Sequence, residues 1–228
     1  MKIGILGGTG PAGTAMAARL ASVGADVILG SRSVERAATA CNDIAGKWAD
    51  RQLSLTPAAN PDAAAADLVI VATPWEAAPS TAASVSDHLD GKVVISMANA
   101  LKLEGGEFIA VEPPGGSVAV GVQQAVPRAL VAAAFHHLPA RALADLKRPV
   151  TGDVLICADS EEAAETTAAL VRAIPDLRPL RAGSLASAGA VEAFTAVLLG
   201  INRRYKARSS IRLAGLRGPN AVTGLPDV

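Results

Sequence analysis

A glycine triplet near the start of the chain and two arginines shortly after it are the residues best suited to hold a ligand. Gly8, Gly10 and Gly13 form a G-x-G-x-x-G run within "GGTGPAG". The run follows an apolar stretch, Lys2–Leu6, and precedes an alanine-rich stretch of helical spacing, Thr14–Val23, that Gly24 can end. Between a strand and a helix each glycine has a task. Gly8 permits a tight turn, Gly10 lets the backbone approach a pyrophosphate, and Gly13 lets the helix pack close to the strand. The helix start then offers unpaired amides and the positive end of its dipole to the phosphates. Pro11 suits the first helical turn but removes one donor.

The second ligand-holding group sits at the end of the next strand, Asp26–Leu29, in "VILGSR". Sheets that bind NAD place an acid there to bond the ribose hydroxyls, and that acid repels the extra phosphate of NADP. This chain has Ser31 and Arg32 instead. A hydroxyl and a planar guanidinium suit a phosphate monoester. Ser33 reads as a helix cap, which puts Arg36 on the first turns of that helix, within reach of the same phosphate. The alternative for each arginine is a solvated surface charge. Together they favour NADP(H) over NAD(H).

The elements that must position these groups alternate from the start. After the strand at 2–6, the helix at 14–23 and the strand at 26–29 come a helix from Ser33 to about Trp48 and a weaker strand, Leu53–Thr56. A short helix, Pro61–Ala66, and strands at Asp67–Thr73, Lys92–Met97 and Val131–Phe135 follow. Near Leu138 a second part begins, with strands at Asp153–Asp159 and Leu177–Leu180, a helix at Ser160–Ala173 and a long apolar helix from Ser184 through Ile201. This rhythm predicts an α/β fold with a mainly parallel, doubly wound sheet and helices on both faces. The division is 1–140 for a dinucleotide-binding domain and 141–228 for a smaller C-terminal α/β part, with a mobile tail from about residue 215.

Composition excludes several functions. Of 228 residues half are apolar, enough for a sizeable core, while 21 basic residues balance 21 acidic ones. That balance, with only 3% aromatics, argues against a nucleic-acid partner. Cys41 and Cys157 match no metal or redox spacing, so no metal site is expected. No signal peptide is visible, and the longest uncharged run, Pro113–Pro127, is too short and too interrupted to span a bilayer. The expectation is a cytoplasmic protein with no membrane partner.

Acid–base equipment is scarce. Tyr205 lacks the lysine spacing of short-chain dehydrogenases, and His88 reads as exposed. His136 and His137 follow the strand at 131–135, at the carboxyl edge where such sheets bind ligands. Thr73, Pro74, Trp75 and Glu76 follow an earlier strand onto the same edge, with Trp75 as a pocket wall. A site so equipped fits hydride transfer between two cofactors, where both reacting carbons belong to the ligands and the protein aligns two rings.

At this point the chain resembles the NADP oxidoreductases that use the deazaflavin coenzyme F420. The matching pieces are "GGTG" at 7–10, "GSR" at 30–32, "PWE" at 74–76, "HHLPA" at 136–140 and "LRPLRAGSL" at 177–185. The resemblance implies a Rossmann-type N-terminal domain, a dimer, and reversible hydride transfer between the nicotinamide and the deazaflavin. It places Thr9, Gly10, Pro11 and Ala12 at the phosphate turn and Ser31, Arg32 and Arg36 at the 2′-phosphate. Trp75, Pro79 and Ala140 fall at the nicotinamide end. His136, taken as the catalytic residue, and Leu138 lie beside the deazaflavin, with Thr195 on the long helix. Pro11 and Ala12 replace an Asn and a larger apolar residue, His137 replaces a small polar one, and no basic residue stands near Gly189. A one-sign segment, Arg203, Arg204, Lys206, Arg208, Arg212 and Arg217, could attract the deazaflavin's phosphate and glutamate tail or serve as a solvated or subunit surface. Two rival functions remain: an NADPH-dependent reductase of a small imine or carbonyl, with His136 or His137 as proton donor, and a non-catalytic NADP-binding sensor.

Overall fold

The computed structural model describes residues 1–216. Arg217 and the remainder of the tail lie outside the described residues. The strands are β1 (Lys2–Leu6), β2 (Asp26–Ser31), β3 (Leu55–Ala59), β4 (Leu68–Val71), β5 (Val93–Ser96), β6 (Leu101–Glu104), β7 (Glu107–Ala110), β8 (Leu130–Ala133), β9 (Gly152–Ala158) and β10 (Leu177–Gly183). The α-helices are α1 (Pro11–Ser22), α2 (Val34–Lys47), α3 (Asn60–Ala64), α4 (Ala78–Ala83), α5 (Val118–Ala125), α6 (Ala140–Leu143), α7 (Glu161–Ala173) and α8 (Ala188–Tyr205).

Eight strands form one sheet in the order β10-β9-β8-β5-β4-β1-β2-β3. From β8 to β3 every pairing is parallel, and β9 then joins β8 antiparallel with β10 parallel to β9. This is the Rossmann-type, doubly wound arrangement expected. Strand residues alternate between two cores, as a period of two requires. Ile3, Ile5, Leu68, Ile70, Val93 and Ile95 meet α1, α2 and α7 on one face. Leu6, Val69, Val71 and Val94 meet α3, α4 and α5 on the other. The parallel strands are buried on both faces, which is why "DLVIVAT" reads as a continuous apolar run.

Several boundaries move for physical reasons. The weak strand starts at Leu55 rather than Leu53 and runs to Ala59. It carries Pro57, which an edge strand tolerates. The strand expected at 131–135 ends at Ala133, because Phe135 adopts a left-handed φ of 65° and turns the chain before His136. The first helix begins at Pro11, with Gly10 as its cap. A 3-10 turn, Leu185–Ser187, precedes α8, which runs on to Tyr205 and stops where Lys206 turns left-handed. The charge-free run at 113–127 contains α5, capped by Ser117, whose hydroxyl accepts from the Val120 N–H. The hairpin β6–β7 turns at Gly105 and Gly106, both at positive φ.

The C-terminal part is knit to the sheet through Asp153, which is fully buried. Its carboxylate receives a two-point bond from Arg178 at 2.8 and 2.7 Å, and the Leu213 N–H donates to it at 2.6 Å. Burial pushes this carboxyl up, but the Arg178 fork, the Leu213 N–H and the Arg212 charge together more than offset it and hold the group below the usual range. Arg212 lies 3.7 Å away and Arg208 pairs with Asp145, so much of the basic segment is spent on the fold. The span Leu185–Tyr205 is long and apolar enough by composition to cross a membrane, with 28% of it buried in the fold.

Candidate functional site

The glycine turn performs as its spacing requires. A Cβ on Gly8 would lie 2.5 Å from Leu29 Cδ1, and one on Gly13 would lie 2.6 Å from the Gly8 carbonyl oxygen. Neither position admits a side chain without displacement. Gly10 differs: a Cβ there meets nothing within 4 Å. Packing does not demand that glycine, and its bare backbone faces open space at the start of α1. A cradle of that shape suits a pyrophosphate.

One groove brings together Thr9, Gly10, Ser31, Arg32, Arg36 and Thr73. Ser31 is buried at the end of β2, and its hydroxyl oxygen accepts from the Ser33 N–H at 3.3 Å, which leaves its proton to donate. Ser33 caps α2 by accepting from the Arg36 N–H at 3.2 Å. That cap starts the helix where Arg36 returns to the groove beside Arg32. Both arginines are exposed. The nearby acid, Glu35, is tied to the Ser33 hydroxyl at 2.6 Å, a bond that lowers its pKa. Pro11 lines a separate groove between α1 and α2, and Ala12 packs against the core.

Sequence reasoning missed Asn60. It is buried at the start of α3, its Oδ1 accepts from the Gly7 N–H at 3.2 Å, and its side chain lines the same groove. It thus fixes the turn that presents the glycines. An Asn-Pro pair at a helix start was the available signal. Ser80, Thr81 and Ser84 supply the opposite wall.

The carboxyl edge of the sheet holds a second set of groups. Among the described residues, buried side-chain atoms without a partner include Thr73 Oγ1, Ser96 Oγ, Asn99 Oδ1, both ring nitrogens of His136, and Thr195 Oγ1. Thr73, Ser96 with Asn99, and His136 belong to the carboxyl ends of β4, β5 and β8, which are parallel neighbours. Buried polar groups are ordinarily satisfied, so such a set marks a place built for a polar ligand. Burial, with the neighbouring His137 ring, pushes His136 down to about 3, so it is neutral at ordinary pH. His137 is different: its Nε2 lies 2.9 Å from the Asp153 carbonyl oxygen, a structural bond. Leu138 is buried behind it, Ala140 opens α6, and Thr195 is buried on α8. Trp75 and Pro79 flank the chain from β4 into α4, half-buried. Of this set only Thr73 also lines the groove of the arginines. Gly189 explains the missing basic residue: a Cβ there would sit 2.2 Å from the Gly116 carbonyl oxygen.

Residues 2–100 match the family model described as "NADP oxidoreductase coenzyme F420-dependent". An F420-dependent NADP reductase of Methanothermobacter thermautotrophicus is 34% identical over 232 residues, covering 100% of this chain and 97% of the relative. One from Methanocaldococcus jannaschii is 35% identical over 222 residues, covering 95% and 99%. A solved structure from Arthrobacter sp. fb24 shares the fold, with a TM-score of 0.80 at 23% identity over 94% of this chain and 99% of that one.

Proposed function

The chain belongs to the coenzyme F420-dependent NADP oxidoreductase family, and from that premise we propose that it transfers a hydride reversibly between NADP(H) and coenzyme F420. The observation that carries this reading is the pairing of a phosphate groove with a second set of unpartnered buried polar groups on the same sheet edge. Both ligands fit the residues present. The bare backbone at Gly10 and the Ser31, Arg32 and Arg36 donors suit the pyrophosphate and 2′-phosphate of NADP(H). His136 and Thr195 offer unused hydrogen-bonding atoms to a polar ring.

When bound, the two cofactors supply both reacting carbons. The chain holds and aligns them. Thr9, Gly10 and the first turn of α1 orient the diphosphate, with Gly8, Gly13, Pro11 and Ala12 shaping the turn. Trp75, Pro79 and Ala140 form the wall at the nicotinamide end, and Thr73 offers its hydroxyl there. His136, Leu138 and Thr195 bound the deazaflavin side. His136 stays neutral down to about pH 3, so it orients by hydrogen bonding and has no imidazolium proton to give near neutrality. That property weighs against the imine or carbonyl reductase reading, which needs a donor.

Residues 1–140 serve as the NADP-binding domain and 141–228 complete the deazaflavin side; the support is that β9 and β10 join the sheet with reversed polarity. The enzyme acts as a cytoplasmic homodimer with neither membrane nor nucleic-acid partner. The support for a dimer is an outward apolar stripe on α8, where Phe194, Val197 and Ile201 are 43, 51 and 39% exposed. The opposite stripe of α8 is docked on the fold through buried Glu192 and Leu198, which weighs against a membrane span. The test is to mix NADPH with oxidised F420 and follow the deazaflavin absorbance. Bleaching supports hydride transfer; NADPH binding without bleaching sinks it.

A further inference from the structure

Glu192 lies in the middle of an apolar helix and is only 3% exposed. No cation pairs with it among the described residues. Instead the first two N–H groups of α5 donate to its carboxylate, Val118 to Oε2 at 2.8 Å and Ala119 to Oε1 at 3.1 Å. With Ser117 accepting from Val120, the opening turn of α5 is satisfied, two of its donors by a residue that is 73 or more positions away in sequence. A tertiary carboxylate used this way fixes one helix against the end of another, because both oxygens must stay in place.

The same contact is tight on each side. Gly189 passes so close to the Gly116 carbonyl that a Cβ would lie 2.2 Å from its oxygen. On the far flank of α5, a Cβ on Gly121 would lie 3.2 Å from Pro79 Cγ on α4. So α5 packs beside α4, which carries Pro79 of the nicotinamide wall, and takes α8, which carries Thr195, at its N-terminal end. Through these contacts α5 links Pro79 on one element to Thr195 on another. Hydride transfer is steeply sensitive to the separation of the two walls.

We propose that α5 is the spacer that fixes the gap between the nicotinamide and deazaflavin walls, and that Glu192 is the positioning residue that holds α8 on it. The proposal rests on the F420 reading above, because it assigns Thr195 to the deazaflavin side. Glu192 spends both carboxylate oxygens on the α5 N–H groups and acts through α5 and Thr195. Its effect therefore falls on F420 and on the transfer step, while the groove of Ser31, Arg32 and Arg36 is untouched.

The test compares the full chain with E192Q and E192D. Glutamine turns an amino group toward one of the two α5 N–H donors, and aspartate keeps the carboxyl group but is one methylene short. In single-turnover and steady-state assays, E192Q is expected to slow hydride transfer roughly ten- to a hundredfold or raise the KM for F420 comparably. E192D is expected to fall between it and wild type. NADPH affinity is expected to stay within about twofold in both, and the melting transition to remain cooperative. Equal rates and equal KM for F420 in all three proteins overturn the spacer. A parallel loss of NADPH affinity, or failure of both variants to fold, overturns it as well, by making Glu192 a determinant of the whole fold. If wild type itself does not bleach F420, the functional reading fails first, and that outcome is separate from a wild type that bleaches and an E192Q that bleaches equally well.

Discussion

The two ends of the proposed hydride path are built in different ways. At the NADP end, the groups come from two short stretches, 7–13 and 31–36, and local geometry aims them: a turn, a cap, a first helical turn. At the deazaflavin end, His136 follows β8 and Thr195 sits on α8, and nothing local joins them. They stand in place because Asp153 anchors the C-terminal segment and Glu192 anchors α8. The first end is held mainly by local capping, worth about 1 kcal/mol, with one neutral tertiary bond from the Gly7 N–H to Asn60. The second depends on buried carboxyl groups, Asp153 paired with Arg178 and Glu192, which burial pushes up to about 7, and such groups are costly when a partner is lost.

That contrast is sharpest in stability. Arg178→Ala leaves the Asp153 carboxylate buried with its main partner gone, and the expected loss is roughly 3–5 kcal/mol in denaturant unfolding. A loss under about 1 kcal/mol would erase the distinction between the two ends. The pH dependence has a definite sign. The folded-state pKa of Asp153 is lowered, so its contribution is present above the unfolded value of about 3.9 and is lost as pH falls through the folded value. Arg178→Ala should therefore flatten the acid limb of the stability curve.

Arg32→Ala tests the opposite end. It should weaken NADP(H) binding by roughly 1.5–3 kcal/mol, the scale of a hydrogen bond to a charged group, with NAD(H) binding affected much less and the melting temperature hardly changed. Equal losses for the two nucleotides in titrations would remove Arg32 from the 2′-phosphate.

His136→Ala should slow turnover about tenfold without abolishing it, a positional loss at the deazaflavin side. Because His136 titrates only near pH 3, the shape of the rate profile between pH 5 and 8 should be the same in wild type and variant. Complete loss of turnover with both ligands bound would restore an acid–base role and the reductase reading.

The smallest effect concerns the basic segment. Arg203 bonds the Gly106 carbonyl on the hairpin, and Arg204 lines the adjacent groove of about 760 Å³ between the hairpin and α8. Neutralising both should change the salt dependence of the KM for F420 only modestly, since exposed charges act through a screened field. An unchanged slope would leave this face to a subunit contact.

The legibility of the sequence follows the same division. Ser33 as a cap and Arg36 on the following turn could be read directly, because capping is a relation between residues three apart. The parallel strands were legible because burial on both faces leaves an unbroken apolar run. The hairpin at 101–110 was not anticipated. Its Gly105–Gly106 turn is a recognisable signal, and Leu101 and Leu103 share a face with Phe108 and Ala110, but its strands are only four residues long and mostly exposed. α5 hid within a stretch read only for its lack of charge. Glu192 was invisible as a site feature, since a carboxylate on an apolar helix reveals its partner only when α5 is folded against it. The expected lysine or arginine near Gly189 is absent for a reason no spacing rule contains, the approach of a backbone carbonyl from another loop.

The anchoring of residues 207–213 on Asp153 carries a consequence for synthesis. Ile211 accepts the Asp153 N–H, and Leu213 both donates to its carboxylate and accepts from Arg178. Strands β1 to β8 each have at least one pairing partner once residue 133 has emerged from the ribosome, and domains fold as they emerge. The outer edge has to wait. Until Arg178 and then Leu213 are made, Asp153 is an unmatched charge at the rim of a nearly finished sheet, and the edge that bears the second half of the site stays open. The nascent chain should thus gain affinity for the nucleotide before it gains any for the deazaflavin.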